Sequence, residues 1–144
     1  QNASIPVIYV NDNFGKWRSD FSVQVRHSMQ PHIRGAPVVE LLRPGPNDYF
    51  VLKPKHSGFF STPLDLLLNY LEVKNLILTG IAGNNCVLFT ATDAYLRDFD
   101  LWIPADCVVS ASKRENLLAL KQMQRLLHAD IRTSSRIDLQ RLKK

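Results

Sequence analysis

A cysteine at the start of a helix is the residue of this chain best suited to do chemistry. The segment LILTGIAGNNCVLFTATDAYLRD, residues 76–98, passes from an apolar strand through a glycine-bearing turn to Cys86 and then a helix. A thiol there faces unpaired backbone N–H groups and the positive end of the helix dipole, and both favour the reactive thiolate. Cys86 is therefore a candidate nucleophile. The alternative is that Cys86 is simply a small buried residue, as most free cysteines are.

A cation that could serve this thiol follows an earlier strand-like run. Lys53 opens the segment KPKHSGFFST, residues 53–62, and Lys55 is a nearby alternative. Asp12 comes after the first apolar run of the chain. In sheets of parallel strands the chemistry lies at the carboxyl ends of the strands. Asp106 likewise follows the apolar run over 101–104. The sequence therefore predicts that Asp12, Lys53, Cys86 and Asp106 share one edge of a sheet.

The elements that must position these residues alternate between strands and helices. Apolar runs predict strands over 5–10, 49–53, 75–79 and 101–104, with a short last strand over 130–133. Helices are predicted over 21–29, after 62, over 86–97 and over 113–127, the last with Leu117, Leu120, Met123 and Leu127 on its inner face. This alternation predicts an α/β fold of three layers, α/β/α, with a mostly parallel central sheet. We expect one domain over 1–144.

Bulk composition narrows the classes of function. The net charge is +5, but the basic residues come without interleaved aromatics or zinc-finger spacing, so we expect no nucleic-acid partner. No apolar run is long enough to cross a bilayer, and nothing at the first residues resembles a signal peptide, so we expect no membrane partner. The two cysteines do not make a disulfide framework, which favours a cytoplasmic location.

Three motifs carry a family resemblance. They are Lys53-x-x-x-Ser57-Gly58-Phe59-Phe60-x-Thr62, Gly80-Ile81-Ala82-x-x-x-Cys86-Val87 and Thr90-Ala91-x-Asp93-Ala94. In this order they resemble the isochorismatase-like cysteine hydrolases, a superfamily that includes nicotinamidases, N-carbamoylsarcosine amidohydrolase and ureidoacrylate amidohydrolase. The resemblance spans residues 5 to about 134.

The resemblance implies an Asp–Lys–Cys triad. Cys86 matches the nucleophile, and Lys53 matches the lysine because it stands four residues before Ser57. A cis peptide between Ile81 and Ala82 is implied, with the N–H groups of Ala82 and Cys86 as the oxyanion hole. The family's aspartate follows a first strand that these residues do not contain. We therefore expect the domain to be N-terminally incomplete, without the family's first strand and helix.

Other candidate residues surround this triad. Asp12, Phe14, Trp17, Phe59 and Asn84 are candidates for substrate binding, with helix capping the simpler role for Asn84. Metal-dependent nicotinamidases carry an Asp-x-His motif at the position that the resemblance aligns with Asp12-Asn13-Phe14, where this chain has no histidine. We therefore expect no metal and no other cofactor.

The expected function is a metal-independent hydrolase that cleaves a C–N bond of a small amide or ureido substrate through a thioester on Cys86. The alternative is a non-catalytic family member that acts as an oligomeric binding or scaffold protein. The resemblance also implies a homo-oligomer. Redox sensing through Cys86 and Cys107 is a third possibility, but the sequence has no C-x-x-C motif to support it.

Overall fold

The computed structural model describes residues 5–14, 21–140 and 142, and alternates strands with helices. The strands are β1 (Ile8–Asp12), β2 (Tyr49–Lys53), β3 (Asn75–Ile77), β4 (Gly80–Ile81), β5 (Asp100–Trp102) and β6 (Val108–Val109). The α-helices are α1 (Phe21–Ser28), α2 (Ala36–Leu41), α3 (Leu64–Tyr70), α4 (Leu88–Tyr95) and α5 (Lys113–Leu126). A π-helical turn, Gly83–Val87, precedes α4, and a 3₁₀ turn, Ser134–Arg136, follows α5.

Every strand pair in the described part of the chain is parallel. β1 pairs with β2, β3 with β5, and β4 with β6. Parallel neighbours require crossover connections, and the helices between the paired strands supply them. The prediction of an α/β fold with parallel strands is confirmed, and within the described residues the strands form three two-stranded pieces.

Several predicted boundaries are wrong because short apolar runs do not fix where hydrogen bonding begins. The first strand runs to Asp12 rather than stopping at residue 10. The predicted run 75–79 yields only the three-residue β3 before the chain turns into β4. The predicted last strand is an isolated bridge between Trp102 and Asp130. α2 and β6 were not predicted, since six and two residues are too few for a periodic pattern.

The core lies between the strands and helices α3, α4 and α5. Its buried members include Val51, Leu68, Ala91, Ile103 and Met123. Helix α5 begins at Ser112, whose side chain accepts a hydrogen bond from the Glu115 N–H. Its buried face consists of Ala119, Leu120 and Met123, whereas Leu117, expected on that face, is half exposed. Among the described helices, none is both long and apolar enough to cross a membrane.

Candidate active site

The last residues of β1 and β2 bring a carboxylate and an ammonium group together. Asp12 and Lys53 are register partners in this parallel pair, and the Asn13 N–H continues the ladder to the Lys53 carbonyl at 2.9 Å. The Asp12 Oδ2 atom lies 3.2 Å from the Lys53 Nζ atom. The predicted meeting of strand ends therefore holds for these two residues.

The ammonium group of Lys53 is enclosed by three acceptors. Its side chain is 4% exposed, and Nζ donates to Asp12 Oδ2 at 3.2 Å, to the Lys55 carbonyl at 3.0 Å and to Cys86 Sγ at 3.5 Å. A buried cation is stable only with such partners. Lys53, not Lys55, is the lysine that reaches the sulfur, and Lys55 contributes its backbone carbonyl.

Cys86 lies inside a π-helical turn and not at the first position of a helix. The turn starts at Gly83, and the Val87 N–H reaches back five residues to the Ala82 carbonyl at 3.1 Å. The α-helix begins two residues after the cysteine, at Leu88. π-turns occur frequently at functional sites. This one orients the half-buried Cys86 thiol toward Lys53.

The backbone before the cysteine has the geometry that the family resemblance implies. The Ile81–Ala82 peptide bond is cis. Ala82 occupies the N-cap position of the π-turn in extended conformation, and its carbonyl accepts the Asn85 N–H at 3.0 Å. Asn84 is therefore not the helix cap. It lies within the turn, exposed, with its N–H bonded to Ser110 Oγ at 3.1 Å.

A hydrogen-bonded link joins the segment after Lys53 to the helix after Cys86. The Ser57 hydroxyl donates to the Asp93 carboxylate and accepts the Phe59 N–H at 3.1 Å. The Gly58 N–H donates to Thr90 Oγ1 at 2.9 Å. These residues belong to the first and third sequence motifs, but the sequence assigned them no role. The presence of these residues in two of the family motifs was the signal in the sequence that could have indicated a role for them. The structure shows that the two motifs contact each other.

The ionisation of Asp12 is set by competing effects. Burial raises its pKa, but the Phe14 N–H, the Lys53 ammonium and the more distant His56 outweigh burial. The net result is a pKa below the ordinary value of 3.8. Asp12 is therefore a carboxylate at neutral pH and balances the charge of Lys53.

The comparisons with known proteins show which family the chain belongs to. Residues 1–135 match the family model described as the isochorismatase domain. The isochorismatase family protein YaaI of Bacillus subtilis is 44% identical over 133 residues, 92% of this chain and 72% of YaaI. The chain belongs to the isochorismatase family.

Two further relatives have names that state an activity. A ureidoacrylate amidohydrolase of Methylorubrum extorquens is 40% identical over 74 residues, which cover 51% of this chain and 30% of that protein. The crystal structure of an N-carbamoylsarcosine amidase from Thermoplasma acidophilum superposes with a TM-score of 0.70 at 26% identity, over 94% of this chain and 76% of that one. This isochorismatase-family chain therefore spans less than a third of that ureidoacrylate amidohydrolase.

The aromatic candidates are dispersed in this family member. Phe14 is 73% exposed next to Asp12, and its N–H donates to Asp12 Oδ1 at 2.6 Å. Phe59 is buried in the core, where it packs against Phe99 and beneath the Arg97 guanidinium. Trp17 lies outside the described residues. Of these three, the described structure brings only Phe14 to the Asp12–Lys53–Cys86 cluster.

Metal ligands are not grouped in the described ranges. Asp12 uses its two oxygens for the Phe14 N–H and the Lys53 ammonium. Residues 5–14, 21–140 and 142 contain no group of three or more His, Cys, Asp or Glu side chains that could hold a metal ion.

Proposed function

We propose that this protein is a hydrolase that cleaves a C–N bond of a small amide or ureido compound through a thioester on Cys86. The observation that carries the proposal is the 3.5 Å contact between Lys53 Nζ and Cys86 Sγ. A buried ammonium group in contact with sulfur stabilises a thiolate, which is the nucleophilic form of cysteine. The mechanism uses no metal ion.

The reaction begins with attack of the Cys86 sulfur on the substrate carbonyl carbon. The developing oxyanion is received by the backbone N–H groups of Ala82 and Cys86, which we assign as the oxyanion hole. The C–N bond breaks as the departing nitrogen takes a proton from a water molecule, which leaves a thioester on Cys86 and a hydroxide ion. The hydroxide attacks the thioester carbonyl, the C–S bond breaks, and the acid departs while the Cys86 sulfur returns to a thiolate beside Lys53.

Asp12 holds Lys53 in place in this mechanism. A residue that exchanges protons in catalysis works best with a pKa near the working pH. The pKa of Asp12 is lowered from 3.8, so the residue remains ionised at neutral pH. That property suits a carboxylate that fixes the ammonium group beside the sulfur. We therefore propose Asp12 as a positioning residue for Lys53.

The names of two relatives support the substrate class. Ureidoacrylate and N-carbamoylsarcosine both denote a carbamoyl group attached to nitrogen. Small ureido acids of this kind are the first substrates to test. Phe14 and Asn84, exposed near the ends of β1 and β4, are the proposed substrate contacts among the described candidates.

The activation of Cys86 can be measured without knowing the substrate. The protein is treated with iodoacetamide near neutral pH, and each adduct is quantified by peptide mass spectrometry. Cys107, free and half-buried like Cys86, is an internal control. We expect alkylation of Cys86 to be at least about tenfold faster than that of Cys107, and to slow when Lys53→Met removes the charge at nearly constant length. Equally slow reaction of both cysteines contradicts the proposal.

Turnover is tested with a panel of carbamoyl and simple amide compounds. Ammonia or amine release is followed for the protein and for Cys86→Ala. We expect release with at least one compound, loss of that release in the variant, and an acyl adduct on Cys86 in mass spectra of rapidly quenched reactions. Activity that survives Cys86→Ala rules out the covalent mechanism.

A further inference from the structure

Helix α4 holds the segment that follows Lys53 through two of its side chains. Thr90 Oγ1 accepts the Gly58 N–H at 2.9 Å, and the Asp93 carboxylate accepts the Ser57 hydroxyl. Thr90 and Asp93 are three residues apart, so they lie on one face of the helix. We call these two hydrogen-bonded pairs, Ser57–Asp93 and Gly58–Thr90, the loop clamp.

The loop clamp joins the two parts of the chain that meet at the reactive sulfur. On one side, Ser57 lies four residues after Lys53, and the Lys55 carbonyl between them accepts the Lys53 ammonium at 3.0 Å. On the other side, Thr90 lies four residues after Cys86, in the helix that continues from the π-turn. Lys53 Nζ contacts Cys86 Sγ at 3.5 Å. The clamp therefore connects the segment that holds the ammonium group to the helix that follows the sulfur.

The segment is packed too closely to shift independently of its surroundings. Ser57 is 6% exposed, and its hydroxyl also accepts the Phe59 N–H at 3.1 Å. A Cβ atom on Gly58 would lie 3.0 Å from Val10 Cγ1, 3.1 Å from Leu64 Cδ2 and 3.4 Å from Thr90 Cγ2. Interiors packed this tightly transmit strain, so a displacement at Ser57 is passed along the backbone to Lys55.

The Asp93 carboxylate is itself held in one orientation, because both of its oxygens are used. Oδ2 accepts the Ser57 hydroxyl, and Oδ1 lies 3.3 Å from Arg97 Nη1. The Arg97 guanidinium is placed in turn by Asp65, whose Oδ1 lies 3.7 Å from Nε, and by the Phe59 ring, whose centre lies 4.7 Å away. A charged acceptor also makes a stronger hydrogen bond than a neutral one. Asp93 is therefore well suited to fix the Ser57 side chain.

We infer that Asp93 is a positioning residue that acts through Ser57 on the contact between the ammonium group and the sulfur. While the Ser57–Asp93 bond is intact, the Lys55 carbonyl stays within reach of the Lys53 ammonium, and the ammonium stays beside Cys86. Without that bond the segment gains freedom, and the mean separation of the two charges grows. Attraction between charges falls with their separation, so less of the sulfur is thiolate at neutral pH. The inference rests on the proposed role of Cys86 as an activated thiol.

The pH dependence of Cys86 alkylation tests this inference. The rate of reaction with iodoacetamide is measured on the full chain from about pH 5 to about pH 10, with the adduct quantified by peptide mass spectrometry. In Ser57→Ala we expect the midpoint of the profile to rise by about 0.5–1 pH unit and the rate at pH 7 to fall about three- to tenfold. A loss of folding stability alone does not move the midpoint in a protein that remains folded, so the profile separates positioning from a structural role.

Three further variants locate the effect. Asp93→Ala should raise the midpoint as Ser57→Ala does, because the hydroxyl loses its acceptor. Asp93→Asn keeps an oxygen that accepts the Ser57 hydroxyl, so it should restore most of the wild-type profile. Asp65→Ala is the matched control, because it removes the other carboxylate that contacts Arg97 without changing the acceptor of Ser57, and it should leave the midpoint unchanged. Circular dichroism checks that each variant is folded, and Ser57→Ala carries the test if Asp93→Ala does not fold.

Four results overturn the inference. A reactive Cys86 with the same profile in Ser57→Ala and wild type leaves the proposed function standing and removes only the role of the clamp. Equal shifts in Ser57→Ala and Asp65→Ala show a general loosening of the cluster. A shift in Asp93→Asn as large as that in Asp93→Ala shows that the charge of Asp93 acts without Ser57. A wild-type Cys86 that reacts no faster than Cys107 overturns the proposed function and this inference with it.

Discussion

Lys53 is a buried cation whose three acceptors come from three parts of the chain. Asp12 ends β1, Lys55 follows β2, and Cys86 lies in the π-turn before α4. An unpaired charge at this depth is strongly destabilising. Because one ammonium group contacts both Asp12 and Cys86, the ion pair and the contact with sulfur depend on each other. Loss of Asp12 should therefore alter both folding stability and thiol reactivity.

The pH dependence of Asp12→Asn tests the effect of Asp12 on folding stability separately from its effect on the reactivity of the Cys86 thiol. The pKa of Asp12 in the folded state is below 3.8, so its ion pair stabilises the fold fully above that pH, and the contribution is lost as pH falls through the folded-state value. In urea denaturation we expect the wild type to exceed Asp12→Asn in unfolding free energy by a constant amount at about pH 5–7, and by a shrinking amount below about pH 4.

Asp130→Asn is the matched control for that experiment. Hydrogen bonding to Arg132 lowers the pKa of Asp130 despite partial burial, so this variant should show the same trend of stability with pH. Of the two variants, Asp12→Asn should also slow alkylation of Cys86, because Asp12 bonds to the Lys53 ammonium whereas Asp130 bonds to Arg132. A Cys86 alkylation rate unchanged in Asp12→Asn contradicts its positioning role.

At the scale of elements, the π-turn that carries Cys86 is held by a close approach at Gly83. A Cβ atom on Gly83 would lie 2.6 Å from Val108 Cγ1, 2.7 Å from Asn116 Oδ1 and 2.9 Å from Ser110 Oγ. Asn116 is itself fixed, since its Nδ2 donates to the Val108 carbonyl and its Oδ1 accepts from Ser110. Asn116, in the first turn of α5, therefore supports the π-turn before α4.

Gly83→Ala should therefore displace the turn as well as destabilise the fold. We expect a loss of about 1–3 kcal/mol of unfolding free energy, because the new methyl group meets three fixed atoms, and a slower alkylation of Cys86. Gly35→Ala is the control, since a Cβ there has nothing within 4 Å, and it should change stability by less than about 0.5 kcal/mol. Equal behaviour of the two variants would show that the turn does not depend on the close approach.

At the scale of the whole molecule, one face of helix α5 belongs to the hydrophobic core and the other faces solvent. Met123 is fully buried with 0% exposure, whereas Leu118 on the same helix is 57% exposed. Met123 lies in the cluster that includes Leu101 from β5 and Ala91 from α4. Its side chain therefore helps to hold the helix that follows Cys86 against the strands.

Met123→Ala should cost about 2–5 kcal/mol of unfolding free energy, since it removes a buried side chain and leaves a cavity. Leu118→Ala should cost less than about 0.5 kcal/mol, because the site is exposed and Ala favours a helix. Both values come from urea denaturation at one temperature. Comparable losses for the two substitutions would contradict this assignment of the buried face of α5.

The sequence by itself determined the parallel α/β class, the position of β2, nearly all of α5, and the choice of Lys53 over Lys55. These features follow from hydrophobic periodicity and from the spacing of motif residues, both of which involve only residues close together in sequence. Tertiary structure alone decided the three acceptors around Lys53, the Ser57–Asp93 link and the burial of Phe59. Each of these depends on contacts between segments distant in sequence, and local patterns carry no information on which side chains meet there.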